Sequence, residues 1–494
     1  MSGLKKFVSD TMIYGLTTII SRTLGFVITP ILTRNFTEAA YGIFTHVYAY
    51  VSLVNAVLAF GMETTFFRYL QNKEGDKQRV YDSSFFVTLL MTAIFLITIF
   101  TFSTPIAMFV GERENVSDYT TYVKIVGLIV AADALAVIPF AKLRADGRPI
   151  RYGVIKLVNI FTYLGFVLLF LYGLPWLTEH SSFWKDFCAG WFRKDWLGNV
   201  FLANLAASLV TLMMLLPQLL SFRFRVDTVM LRKMLTYSFP IMIANISFII
   251  NENLDKMMFP KLIPGIEGDR ELGVYGAVTK LAVFLNLFVM AFRLGAEPFF
   301  FSYAKNENAK KTYAMIMRYF VLAMILVMIG ICANLDWLKL FIRGKAEDVA
   351  GYWEGLFIVP VLLFNYVLLG IYINLSVWYK LSDQTRYGLY ISGIGALMTI
   401  VLNLLLIPKY SYTGAALSTT VAYFTMVILS YVWGQKNYPI PYESLKIAAY
   451  LLIGVVLSFI AYQLNFWFAN MLFLAVLGVV AYSERGLIKR FIRR

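Results

Sequence analysis

The chain has 494 residues, of which 59% are hydrophobic, 17% aromatic and only 15% charged, with a formal net charge of +15. A soluble protein of this length carries about a quarter charged residues, so a soluble fold is excluded. Two cysteines, Cys188 and Cys332, and two histidines, His46 and His180, exclude a disulfide framework and leave metal binding or histidine catalysis little to work with.

Apolar runs of about 20 residues recur from end to end, the length at which a helix crosses a bilayer. They fall at roughly 8–33, 40–69, 82–110, 120–141, 152–174, 198–221, 233–261, 272–302, 314–341, 352–379, 386–407, 412–434, 444–466 and 468–488. The pattern predicts an all-α polytopic membrane protein of about fourteen helices, with no soluble domain of useful size.

The first run follows Lys5 and Lys6 in the manner of a signal peptide, but it holds Arg22 and no small-residue cleavage site. It is read as a retained helix. Arg22 lies near its middle, in ISRTLGF, with no carboxylate three or four residues away. The second run carries His46, read as a satisfied helix residue, and ends at GMETTFF with Glu63. Asp133 lies inside the fourth. The fifth begins at RPIRYGVIKLV, and the loop after it, 175–197, holds Trp176, Trp184, Trp191 and Trp196. Such rings settle at a membrane interface, so a short amphipathic segment on the outer face is expected.

The seventh run closes on FIINENLDKMMFP, 248–260, where Asn251, Glu252, Asp255 and Lys256 interrupt the apolar sequence. Glu252 and Lys256 are i,i+4 partners, as are Asn251 and Asp255; a self-paired patch and an acid–base cluster lining a cavity both fit. The eighth run holds Lys280, without a local carboxylate, and the i,i+4 pair Arg293 and Glu297. A charge near the bilayer centre costs at least ~2.5–3.5 kcal/mol, so these side chains should face protein or water. A wet cavity lined by cations would attract an anionic headgroup, and arginine suits phosphate.

Alternate loops are basic, among them Arg68 to Arg79, Lys142 to Arg151, Arg223 to Lys233, Lys305 to Lys311 and Arg485 to Arg494. The positive-inside rule places them, and both termini, in the cytoplasm. The surplus charge is then topological and no nucleic-acid partner is implied.

The chain also repeats itself. RPIRYG and DQTRYG, YGIF at 41 and LGVY at 272, and GMETTFF and GAEPFFF recur in the same order, offset by about 231 to 235 residues. Helices 1–6 (residues 1–222) and 7–12 (223–437) are therefore expected to be parallel homologous lobes, with helices 13 and 14 (438–494) appended. Glu63 and Glu297 take corresponding places.

SRTLGFVITPILTRNFTEAAYG, then NLDKMMFP and ELGVYGAVTKLA, then TGAALSTTVAY at 413–423 resemble the bacterial polysaccharide-unit (O-antigen-type) flippases. These belong to the multidrug, oligosaccharidyl-lipid and polysaccharide exporter superfamily. The resemblance covers nearly the whole chain. It implies a V-shaped two-lobed fold, alternating access and transfer of an undecaprenyl-pyrophosphate-linked oligosaccharide across the bacterial inner membrane, for lipopolysaccharide or other surface polysaccharide. Membrane lipid and polysaccharide-assembly proteins are the implied partners. Arg22, Lys280 and Arg293 are the implied pyrophosphate ligands. The Asp-basic motif of helix 7 falls on Asp255 and Lys256, where many members carry arginine at the second position.

Lipid-linked peptidoglycan-precursor flippases also carry a helix 1 arginine in an SR-x-LGF context, but this helix 2 offers only Glu63 and Arg68 in place of their further cations. No catalytic residue, metal site or cofactor is expected beyond a coupling ion, H+ or Na+, taken up by Asp255 and Glu252, with Asp133 a further cavity candidate. The alternatives are a multidrug or cation antiporter using Asp133, Glu252 and Asp255, and a membrane polysaccharide-synthesis enzyme. The enzyme lacks support from any paired carboxylates, catalytic histidine or long periplasmic domain.

Overall fold

The computed structural model describes residues 26–70, 76–111, 116–304, 306–382 and 384–484, and every regular element among them is a helix. Packing divides the chain into two units, Met1–Leu272 and Gly273–Arg494.

In the first unit, α1 covers residues 26–35 of the first span. The Thr37 hydroxyl caps α2 (Glu38–Ala59) by accepting from the Ala40 amide at 3.4 Å. Phe60 and Gly61 then turn the chain through left-handed φ values of 48° and 65°, and α3 (Met62–Leu70) resumes. Position 61 needs glycine twice over. Its φ is positive, and a Cβ there would stand 2.9 Å from the Ser238 carbonyl oxygen.

Asp76 caps α4 (Lys77–Thr101), which kinks at Phe102 into α5 (Ser103–Val110). Two long helices follow, α6 (Val116–Ala145) and α7 (Pro149–Leu168). The latter runs through a π-turn, Leu169–Gly173, into α8 (Leu174–His180). The aromatic loop forms α9 (Ser182–Cys188) and a turn, with Trp176, Phe183 and Phe187 exposed and Lys194 paired to Glu179 at 2.9 Å.

Next come α10 (Gly198–Met214), the short α11 (Leu216–Leu219) and α12 (Thr228–Leu262). Asp227 starts α12 by accepting from the Val229 and Met230 amides at 3.0 and 3.1 Å. α10 packs on α7 and α6, α4 on α6, and α12 along α2. The core at one end joins Met62, Phe66, Tyr81, Phe85, Ile138 and Met234. Thus α12, which the sequence places at the head of the second lobe, is grouped by its contacts with the first unit.

The boundary between units falls inside α13 (Ile266–Tyr303). The second unit continues with α14 (Ala309–Ala333), α15 (Leu335–Leu338), two 3-10 turns, α16 (Val359–Leu375) and α17 (Val377–Leu381). Then comes α18 (Arg386–Asn437), broken at Ser411 (φ 51°, ψ −136°). Pro408 lies three residues before that break and removes a helical hydrogen bond. α19 (Ser444–Gln463) and α20 (Phe466–Ser483) both pack on α14. Their other faces expose large apolar side chains, Leu452, Ile453, Trp467, Phe468 and Leu474. A face of that kind is at rest only in lipid.

Among the described residues eleven helices, with α2–α3, α7–α8 and the stretch Gly351–Leu381 each taken as one, are long and apolar enough to cross a membrane. The broken α18 supplies two such lengths, and the shorter apolar α10 adds another. With α1 as the described part of the first span, the helices match the spans expected from hydropathy, and the protein is an all-α polytopic membrane protein.

Candidate functional site

A polar cavity of about 850 Å³ opens inside the first unit. Its walls follow from helical spacing, since residues three and four apart share one face. α6 contributes Asp133, Val137, Phe140 and Arg144. α7 gives Tyr152, Lys156 and Asn159, and α10 gives Asn204, Ser208 and Thr211. Ser52, Asn55 and Glu63 line it from α2 and α3, and Asn245, Phe248 and Ile249 from α12.

The polar groups brace one another. Ser208 Oγ donates to Asp133 Oδ1 at 2.9 Å, and Asn159 Nδ2 to Thr211 Oγ1 at 2.9 Å. Asn204 Nδ2 donates to the Tyr48 hydroxyl at 2.5 Å. The Lys156 ammonium stands 4.3 Å from the centre of the Phe140 ring. Asp133 and Lys156 lie within electrostatic reach of each other but do not close into an ion pair. At the other end, Arg144 pairs with Glu63 and covers the Phe67 ring at 4.9 Å. Arg144 is eleven residues from Asp133 on α6, about 16 Å along the axis.

Among the described residues two acids, Glu63 and Asp133, and two bases, Arg144 and Lys156, line the cavity. Hydroxyl, carboxamide and ionic groups converge between apolar walls, with a volume usual for a ligand site. Among the described residues no group of three histidine, cysteine or acidic side chains is placed to hold a metal ion.

The expected residues are distributed unevenly. Asp133 and Glu63 line the cavity. Asn251, Glu252, Asp255 and Lys256 lie on α12 beyond its wall residues Phe248 and Ile249. There the Lys256 ammonium donates to the Glu252 carbonyl oxygen at 3.0 Å and to Asp255 Oδ1 at 3.2 Å. Asn251 and Asp255 are buried. Lys280 and Arg293 are on the part of α13 that belongs to the second unit, with Lys280 half-buried and Arg293 exposed. Arg22 lies outside the described residues, as does the side chain of Glu297.

Sequence reasoning did not select Lys156, Asn159, Asn204 or Ser208. A signal was present: Tyr152, Lys156, Asn159 and Asn204, Ser208, Thr211 each place polar groups at i, i+4 and i+7 inside an apolar run. That spacing is a polar stripe on a membrane helix.

The fold and site define a polytopic membrane transporter. Residues 7–173 match the family model described as "Polysaccharide biosynthesis protein", and residues 240–405 match the one described as "MatE". The two matches, together with the fold, support a place in the multidrug, oligosaccharidyl-lipid and polysaccharide exporter superfamily.

Solved structures share the fold. A lipid II flippase, MurJ, in an inward closed conformation is 13% identical, with 97% of this chain and 100% of that chain covered and a TM-score of 0.70. An inward-facing multidrug resistance MATE family transporter is 13% identical over 89% of this chain and 95% of its own, with a TM-score of 0.60. A transporter of the same superfamily from Pyrococcus furiosus is 15% identical over 89% and 96%, with a TM-score of 0.55. No curated protein matches the chain by sequence.

Proposed function

We propose that the protein is a flippase that carries an undecaprenyl-pyrophosphate-linked oligosaccharide across the bacterial inner membrane by alternating access. The observation that carries this reading is a polar cavity among apolar helices, walled in large part by residues of the segment 7–173 that matches a polysaccharide biosynthesis family. A glycan is a dense array of hydroxyl donors and acceptors. Asn159, Asn204, Ser208 and Asn55 offer both partners, and Phe140 and Phe248 offer apolar faces for ring C–H groups.

The pyrophosphate needs cations, and Arg22, Lys280 and Arg293 remain its proposed ligands. The prenyl chain stays in lipid, where the exposed faces of α19 and α20 are already at home. Proton or sodium coupling through Asp255 and Glu252 belongs to the same proposal, as do cytoplasmic termini and service to surface polysaccharide synthesis.

One observation favours a second reading. The MatE match over 240–405, together with the Asp133 carboxylate in the cavity, would suit a cation exporter. Reconstitution separates the two. Proteoliposomes holding a labelled undecaprenyl-pyrophosphate oligosaccharide should expose the glycan to an added glycosidase only when the protein is present. Glycan that stays protected, with proton- or sodium-driven dye efflux in its place, would move the assignment to the exporters.

A further inference from the structure

His46 lies on α2, 1% exposed, with its two ring nitrogens against two carbonyl oxygens from different helices. Nδ1 is 2.8 Å from the Lys256 oxygen on α12, and Nε2 is 2.9 Å from the Val110 oxygen at the end of α5. Both carbonyls stand where helical bonding is interrupted. Residue 260 should donate to Lys256 but is proline, which has no N–H. Val110 is the last residue of α5, where carbonyls run out of helical partners.

A carbonyl oxygen only accepts. A neutral imidazole has one N–H, so it serves one of these carbonyls and turns a lone pair toward the other; the imidazolium donates to both. The number of protons on the ring therefore sets the number of helices that α2 holds.

We propose that His46 is a proton-operated tie between α5 and α12. Charged, it fastens the end of α5 and the Asp255–Lys256 turn of α12 to α2 together; neutral, it releases one of them. His46 is a positioning residue. It acts on the charged turn of α12 through that turn's backbone, independently of what the protein carries.

Among the described residues, the charged group that acts on the ring is Lys261 of α12, and the ring faces the backbone of Lys256, whose side chain pairs with Asp255. Lys261 also rests over the Phe109 ring of α5 at 3.1 Å, a contact that does not depend on the histidine. The Tyr50 ring stands edge-on to the imidazole at 5.0 Å on α2 itself. The acids of the other helices on α2 point elsewhere: Asp82 of α4 accepts from Gln78 and the Arg223 amide, and Asp133 of α6 from Ser208.

The test is hydrogen–deuterium exchange on the full-length protein in lipid nanodiscs at pH ~4 and pH ~8, limits that reach well below the range in which a free imidazole titrates, corrected for intrinsic exchange. Peptides from the end of α5 and from 256–262 should exchange about tenfold more slowly at the lower pH, the change expected for one hydrogen bond to a charged group. His46→Gln, which holds no titrating proton, should abolish that difference and leave the protection of α4 and α6 as it was. His46→Phe should lose protection at both pH values. Equal protection of the wild type at both pH values would overturn the tie, and so would a pH difference that survives in His46→Gln.

Discussion

Asp133 and Lys156 are the residues on which the cavity turns. Each projects from a membrane-spanning helix into the same space, and each would be expensive in lipid. Neither spends its charge on the other, so both remain available to a ligand. Asp133→Asn keeps the Ser208 contact and removes the charge; Lys156→Met keeps the stem and removes the ammonium. If the cavity holds the glycan, each should slow flipping by about tenfold, the scale of one charge-assisted hydrogen bond, with folding unchanged by melting temperature. Flipping at the wild-type rate in both variants, measured by glycosidase exposure, would remove them from the site.

How far this site was legible depends on the residue. Asp133 stood out because an acid in the middle of an apolar run has no solvent to excuse it. Lys156 was masked by its neighbours: it follows Arg148 and Arg151 closely, and reads as the tail of a basic loop. The repeat gives Glu63 a counterpart in Glu297 and says nothing of its partner, which in the fold is Arg144, 81 residues away. A long-range pair of this kind leaves no trace in local spacing.

At the scale of elements, the helices themselves were readable, because each needs only its own apolar length and its caps. Asp76 and Asp227 begin α4 and α12 as side-chain caps should. The grouping of α12 was not readable, since it rests on packing along α2 and on the space left by Gly61.

The attachment of the last two helices has a definite chemistry. Arg318 on α14 donates to Glu443, just before α19, at 2.9 Å and to Glu484, just after α20, at 2.6 Å; Tyr319 adds a bond to Glu484 at 3.1 Å. Arg318→Leu should loosen both helices by about 2–3 kcal/mol, between exposed and buried ion pairs, seen as a lower melting temperature and earlier proteolysis after residue 437. The Glu443 carboxyl is held below the usual carboxylate range by Lys446 and then by Arg318. Folding therefore lowers its pKa. Its contribution is complete above the free value of about 4.3, and it fades as pH falls through the lower folded value. The melting gap between wild type and Glu443→Gln should narrow to nothing on acidification; a gap independent of pH would contradict the ion pair.

For the whole molecule, the central claim is that a glycan enters the cavity of the first unit while its carrier lipid stays outside. Protection of a single thiol measures this most directly. Asn159→Cys places a reactive sulfur in that cavity, against a background in which Cys188 and Cys332 are buried. In proteoliposomes, added undecaprenyl-pyrophosphate oligosaccharide should slow labelling by a polar maleimide in a saturable way, and undecaprenyl pyrophosphate without sugars should not. Labelling that ignores the glycan while flipping continues would place the sugar elsewhere in the protein.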